Sequence, residues 1–282
     1  MPADFDYCAS LVREADRDRY LSALFAPDER RDGLLALYAF DTELTRVRER
    51  AGEPMAGEIR LQWWREAMAG RRDEEVAAHP VAAALRETLS RHGLAAERVT
   101  ALIDAHAFDL YDEPMASLDV LDDYLVRTHG GPIALAADIL GADGVNEKLM
   151  RHAGIAIGLA ELLRGLGQDA ALGRLYLPRD LLERHALRSE DILAGQGNDS
   201  LSAALAELRG RVRYHMVAAQ RELSGAPMQI LPALLPAALV GPTLLRMERA
   251  GDAPLQFQPL SSPRRQWLLW RAARDPARIF RA

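Results

Sequence analysis

Two stretches hold the side chains that could do chemistry. The first is LLALYAFDTELTRVRE, from Leu34 to Glu49. Asp41, Thr45 and Glu49 recur there at four-residue spacing, which on a helix stacks them one turn apart. Carboxylates so placed could help to hold a divalent cation, which takes hard oxygen ligands. They could equally be solvated, or paired with Arg46 and Arg48. The second stretch is GLAELLRGLGQDAALGRLYLP, from Gly158 to Pro178. Glu161 and Asp169 lie eight residues apart, close to one helix face after two turns. Tyr38, Arg164, Arg174 and Tyr176 complete the candidate set. One arrangement is a cation site improvised from Asp41, Glu161 and Asp169. Another is a metal-free anion site from Arg46, Arg164 and Arg174, since guanidinium repels magnesium and pairs well with phosphate or carboxylate. In a third, Arg164 pairs with Glu161 or Asp169 and only stabilises its helix.

Composition narrows the class. The chain has 282 residues, with 49% hydrophobic and 27% charged side chains, as expected of a soluble globular protein. Aromatics are 6%, and alanine and leucine dominate, which favours helix over strand. A net charge of −6 gives no reason to expect a nucleic-acid partner. Cys8 is the only cysteine, so no intrachain disulfide can form, which suits a reducing compartment. The N-terminus has acids and no apolar core, so it does not read as a secretory signal. Lys148 is the only lysine, so arginine carries nearly all the positive charge; a GC-rich coding genome accounts for that bias.

The elements that must position the candidates read as helices throughout. Apolar periodicity places them near 4–23, 28–50, 56–70, 78–91, 95–110, 118–140, 145–166, 178–184, 200–223, 228–248 and 263–274. Pro27-Asp28 and Ser117 mark helix starts, and Gly141 marks an end. Leu187 to Ser200, with Gly195, Gly197 and Asn198, reads as a surface loop. Ala226 to Leu245 carries no charge and is long enough to span a bilayer, but Pro227, Pro232, Pro236 and Pro242 would break the backbone bonding a lone span needs. A buried, kinked core helix is the expectation. No Pro/Gly/Ser linker divides the chain, so 1–282 is expected to be one domain.

The order of these stretches resembles the squalene/phytoene synthase family. Leu37 to Phe40 is that family's LYAF run, Arg60 to Glu66 resembles RLxWWREE, Tyr124 to Gly131 resembles its tyrosine-led helix, and Gly173 to Pro178 its RGRxYLP tail. Leu61 and Trp64 of the second run are expected in the core. Asp109 resembles a family aspartate before a short loop, but the Arg-Tyr pair that commonly follows is replaced by Pro114-Met115. The resemblance implies an all-α isoprenoid synthase fold, a single helical domain around a central cavity, with two aspartate-rich motifs facing each other across it. A working member would condense two prenyl diphosphates with magnesium. Here the DDxxD positions fall on Thr45, Arg46, Val47, Arg48 and Glu49, and the second ligand pair has become Gly165 and Asp169. Gly130 and Gly131 could leave room for a prenyl chain or permit close helix packing. His129 could exchange a proton or be a hydrogen-bonded rim residue.

The chain thus resembles most the divergent branch of the family that lost the aspartates, which includes a mitochondrial complex I assembly factor. That resemblance implies a non-catalytic role in assembly or in binding lipid or prenyl phosphate, with no cofactor and with respiratory-complex subunits as partners. The alternative is an active prenyltransferase that uses magnesium. A cytoplasmic location, peripheral to the inner membrane, fits the tail at 261–282. That tail carries Arg264, Arg265, Arg271, Arg274, Arg278 and Arg281 among Trp267, Leu268, Leu269, Trp270, Ile279 and Phe280. It could lie on an anionic membrane, dock on a partner, or fold back on the body, which is expected to hide Trp267 and Trp270.

Overall fold

The computed structural model describes residues 2–111, 113–142, 144–250, 255 and 257–281, with only the backbone of Pro2 and Ala250. Every regular element among the described residues is helical, as the composition predicts. The residues form two compact units. One takes Met1–Tyr111, Gly131–Val145 and Ala226–Leu235, and the other takes Asp112–Gly130, Asn146–Gly225 and Pro236–Ala282. Each unit is assembled from three separate stretches, so no single linker could have marked a boundary in the sequence. Ala282, the last residue of the expected tail, lies outside the described residues.

In the first unit the Asp28–Thr45 helix packs against Pro2–Ala15, Pro80–His92 and Gly131–Ile139. Asp28 and Glu29 in its first turn complement the positive end of the helix dipole. Every residue from Gly33 to Leu44 is buried. Such a helix has no solvent face, so its polar residues must find partners inside the protein. Phe40 and Trp64 meet edge to face at 4.9 Å and anchor the Pro54–Met68 helix. Leu61 and Trp64 are core residues, as expected.

The second unit is built on two 25-residue helices, Glu147–Ala171 and Asp199–Leu223, packed side by side. Leu118–Leu125 and the π-turn Val126–Gly130 close against the first of them. Glycine makes this approach possible. A Cβ on Gly154 would lie 2.5 Å from the Gly130 nitrogen and 2.7 Å from its Cα. Gly130 therefore serves close backbone packing. Gly154→Ala is expected to destabilise the protein by about 1–3 kcal/mol, because backbone has to shift to admit the methyl group. A urea midpoint unchanged from the wild type would show that the two backbones are not in contact.

Several expected helices are interrupted. The 4–23 helix breaks at Asp16, whose side chain caps Arg17–Ala23 by accepting from the Arg19 amide. The 28–50 helix breaks at Arg46 and resumes as Val47–Ala51. The 118–140 helix passes through the π-turn. The loop at 187–200 holds a short helix, Ser189–Leu193. Ser117 caps its helix through the Val120 amide, and Gly141 takes a φ of 66° at the end of Gly131–Ile139, as read from the sequence. The apolar stretch Met228–Arg249 is long and apolar enough to cross a membrane, but 67% of its 18-residue apolar window is buried. Alternating 3-10 and α turns, Met228–Ile230, Leu231–Leu234, Leu235–Leu239 and Val240–Ala250, run through it. This is the kinked core segment that its prolines imply.

Candidate functional site

The first candidate stretch lies in the first unit, and its centre is a buried charge cluster. Asp41 is 3% exposed, because its helix is enclosed on all sides. Arg19 reaches it from the Arg17–Ala23 helix and donates to Asp41 Oδ2 through Nη1. The Asp16 cap fixes that helix, and its carboxylate lies 3.5 Å from Arg19 Nε. The guanidinium also sits 5.2 Å from the centre of the Tyr38 ring, a cation–π arrangement. On the other side His106 Nε2 lies 3.9 Å from Asp41 Oδ1. That is an ion-pair separation and not a hydrogen bond, and both atoms are buried without a hydrogen-bond partner. His106 Nδ1 is 2.8 Å from Asp109 Oδ2, and Arg48 donates to the Asp109 carbonyl at 3.0 Å.

These neighbours set the protonation states. Burial would raise the Asp41 carboxyl, but Arg19 and His106 outweigh it and hold it far below the usual range. Burial opposes the imidazolium of His106, yet the hydrogen bond to Asp109 and the charges of Asp109 and Asp41 raise it to about 9. Burial pushes the Tyr38 hydroxyl up, against the pull of Arg19. At neutral pH two cations, Arg19 and His106, therefore flank the Asp41 carboxylate.

The donors here do not suit magnesium. Asp41 has Arg19 on one oxygen and an imidazolium facing the other. Thr45 Oγ1 is turned back onto the Thr42 carbonyl at 3.1 Å. The helix break at Arg46 ends the four-residue stacking, so Asp41 is buried while Glu49 is exposed. The pairing of Asp41 with Arg46 or Arg48 that the sequence allowed is replaced by pairing with Arg19. Sequence reasoning missed Arg19 because it lies 22 residues from Asp41, on another helix.

The second candidate stretch lies in the second unit. Glu161 is half-exposed and sits 3.3 Å from His129 Nε2, whose Nδ1 is 3.0 Å from Thr128 Oγ1. A Cβ on Gly158 would come within 2.9 Å of His129 Nδ1, so that glycine makes room for the ring. His129 is thus a hydrogen-bonded rim residue. Arg164 is exposed. Asp169 Oδ2 lies 3.0 Å from where a Cβ on Gly165 would stand, so the Asp169 carboxylate occupies the space of the missing ligand's side chain. Arg174 is half-buried, and its amide donates to the Asp169 carbonyl at 2.8 Å. Tyr176 is half-buried and stacks on Tyr124 at 6.3 Å. Arg46 belongs to one unit and Arg164 and Arg174 to the other. Among the described residues no group of three or more His, Cys, Asp or Glu side chains is placed to hold a metal ion.

The second unit also has a buried carboxylate that no sequence motif marked. Asp122, 4% exposed, accepts two hydrogen bonds from Arg211, at 3.0 and 2.6 Å. His215 lies 3.7 Å from Asp122 and 2.9 Å, nitrogen to nitrogen, from His152. That contact needs one donor and one acceptor, so the two rings cannot both be protonated and keep it. Burial drives His215 below its usual range.

A family model described as squalene/phytoene synthase matches residues 12–271. The chain is 25% identical over 250 residues to NADH dehydrogenase (ubiquinone) complex I, assembly factor 6 of Mus musculus, covering 88% of this chain and 75% of that protein. It is 29% identical over 221 residues to presqualene diphosphate synthase of Rhodopseudomonas palustris, covering 76% and 77%. Among solved structures, a dehydrosqualene synthase superposes with a TM-score of 0.83 at 18% identity, over 96% of this chain and 95% of that one. Squalene synthase HpnC from Alicyclobacillus acidocaldarius gives 0.75 at 25% identity, over 88% and 94%. The fold is that of the isoprenoid synthases, all-α, and the match over nearly the whole length shows that this chain belongs to the squalene/phytoene synthase family.

Proposed function

We propose that this protein is a family member that does not ionise prenyl diphosphates, and that it acts instead in assembly or in binding a lipid or prenyl phosphate. One observation carries the reading: Arg19 is held on buried Asp41, so a fixed cation of the protein takes the carboxylate that a bound metal would need. A guanidinium neither accepts a diphosphate's leaving electrons as a Lewis acid nor exchanges with magnesium. Thr45, Arg46 and Gly165 at former aspartate positions point the same way. No cofactor is required on this reading. The likeness to complex I assembly factor 6 supports respiratory-complex subunits as the partners.

Incubation with farnesyl or geranylgeranyl diphosphate and magnesium tests it. Diphosphate release at the no-enzyme rate is expected. Turnover above that background would establish the alternative, an active prenyltransferase, which the likeness to presqualene diphosphate synthase supports. Restoring aspartate at 45, 46 and 165 is not expected to restore turnover. Arg19 would still hold Asp41.

A further inference from the structure

The C-terminal helix Ser262–Arg274 is docked by one face and bare on the other. Leu269 and Ala272 are each 1% exposed, and beyond the helix Ile279 and Phe280 are buried as well. The opposite stripe carries Arg264, Trp267, Trp270, Arg271 and Arg274, which fall on one side of a helix at three- and four-residue steps. Trp267 is 51% exposed and Trp270 45% exposed. The tail does fold back, but it does so through Leu269, Ala272, Ile279 and Phe280, and the tryptophans remain outside. Each indole carries a guanidinium one turn on: Arg271 sits 4.8 Å from the Trp267 ring and Arg274 4.2 Å from the Trp270 ring. The stacking holds aromatic surface and positive charge at the same level.

We propose that this face rests on an anionic phospholipid bilayer. Interfacial indoles sit at the depth of the headgroups, and neighbouring arginines meet lipid phosphates at that depth. Charge is complementary and local. Residues 261–282 hold six arginines and one aspartate, a net of +5, so with a total of −6 the rest of the chain carries −11. The aspartate, Asp275, is 2.6 Å from Arg278, which lies beyond the helix, and does not neutralise the stripe. The acidic remainder is repelled by the same surface, so the chain approaches tail first. Size argues for lipid over a protein partner. A 13-residue helix is about 20 Å long and about 10 Å wide, offering on the order of 200 Å², against about 800 Å² per partner in a stable protein interface. A bilayer moulds to a small convex face. This inference does not depend on whether the family chemistry survives.

The test uses the full-length protein, sedimented with vesicles of phosphatidylcholine alone or mixed with phosphatidylglycerol. Truncation at Leu260 is unsuitable, because it would uncover the core around Leu269, Ile279 and Phe280. Binding is expected only to the anionic vesicles, with a blue shift in tryptophan emission and release by high salt. The triple variant R264Q/R271Q/R274Q is expected to bind about a hundredfold more weakly, roughly fivefold for each arginine. The double variant W267A/W270A is expected to lose at least about tenfold, because the rings no longer bury apolar surface. Both should melt like the wild type, since their side chains point outward. Equal binding to neutral vesicles, no binding to either, or wild-type binding by both variants would overturn the proposal. Retention on an immobilised acidic peptide without vesicle binding would assign the face to a protein partner instead.

Discussion

Replacing Arg19 with methionine is expected to destabilise the protein by about 3 kcal/mol, the low end of what breaking a buried ion pair costs. The reason is Asp41, 3% exposed, which would lose its charge-assisted hydrogen bond while staying out of reach of water. The full range extends to about 5 kcal/mol. Here the charged His106 remains 3.9 Å away and softens the loss, but it is shared with Asp109. The double variant R19M/D41L removes both charges and should recover most of the stability, because an apolar pair of similar volume is often as stable as a buried ion pair. Urea unfolding followed by tryptophan emission measures both. An R19M midpoint equal to the wild type would mean that Asp41 is satisfied some other way, and the main support for a non-catalytic site would fall with it.

The second large effect is on the pH dependence of stability, which is expected to peak near pH 6.5, with histidines of opposite shift governing the two sides. His106 has its folded pKa raised to about 9, above the unfolded value near 6.5. Its contribution is fully present below pH 6.5 and is lost as pH rises through 9. The shift of about 2.5 corresponds to on the order of 3 kcal/mol, undiminished by solvent because the side chain is 4% exposed. His215 is the reverse case. Burial lowers its folded pKa, against the pull of Asp122 and with help from His152, Arg211 and Arg151. The unfolded state therefore takes up the proton first, and stability is lost as pH falls below 6.5. Asp41, with its depressed carboxyl, adds to the loss at still lower pH. Melting temperatures across pH 4–10 for H106Q and H215Q would separate the two. H106Q should flatten the alkaline side, and H215Q should soften the acid side, where burial also lowers His79, His92 and His152, whatever each does to overall stability. An unchanged alkaline slope in H106Q would show that His106 is neutral in the folded protein.

The sequence by itself determined the helical class, the family and the loss of the aspartates. Those properties are local: apolar periodicity, caps such as Ser117, and ordered short motifs such as LYAF and GRLYLP survive as strings of residue types. It also placed Leu61 and Trp64 in the core, where their size and apolarity put them. The tertiary structure decided what replaced the lost chemistry. Four-residue spacing put Asp41, Thr45 and Glu49 on one face only for an unbroken helix, and the break at Arg46 removed that condition. Asp41 paired with Arg19 and not with a neighbour on its own helix, because a helix buried throughout from Gly33 to Leu44 must find its counter-charges there on the elements packed around it. The same holds for Asp122 with Arg211, 89 residues apart, which no local pattern could announce. The tail shows the division most plainly. Its residues could be read from the sequence, but which of them face inward depends on the surface the helix packs against, and that surface exists only in the folded chain.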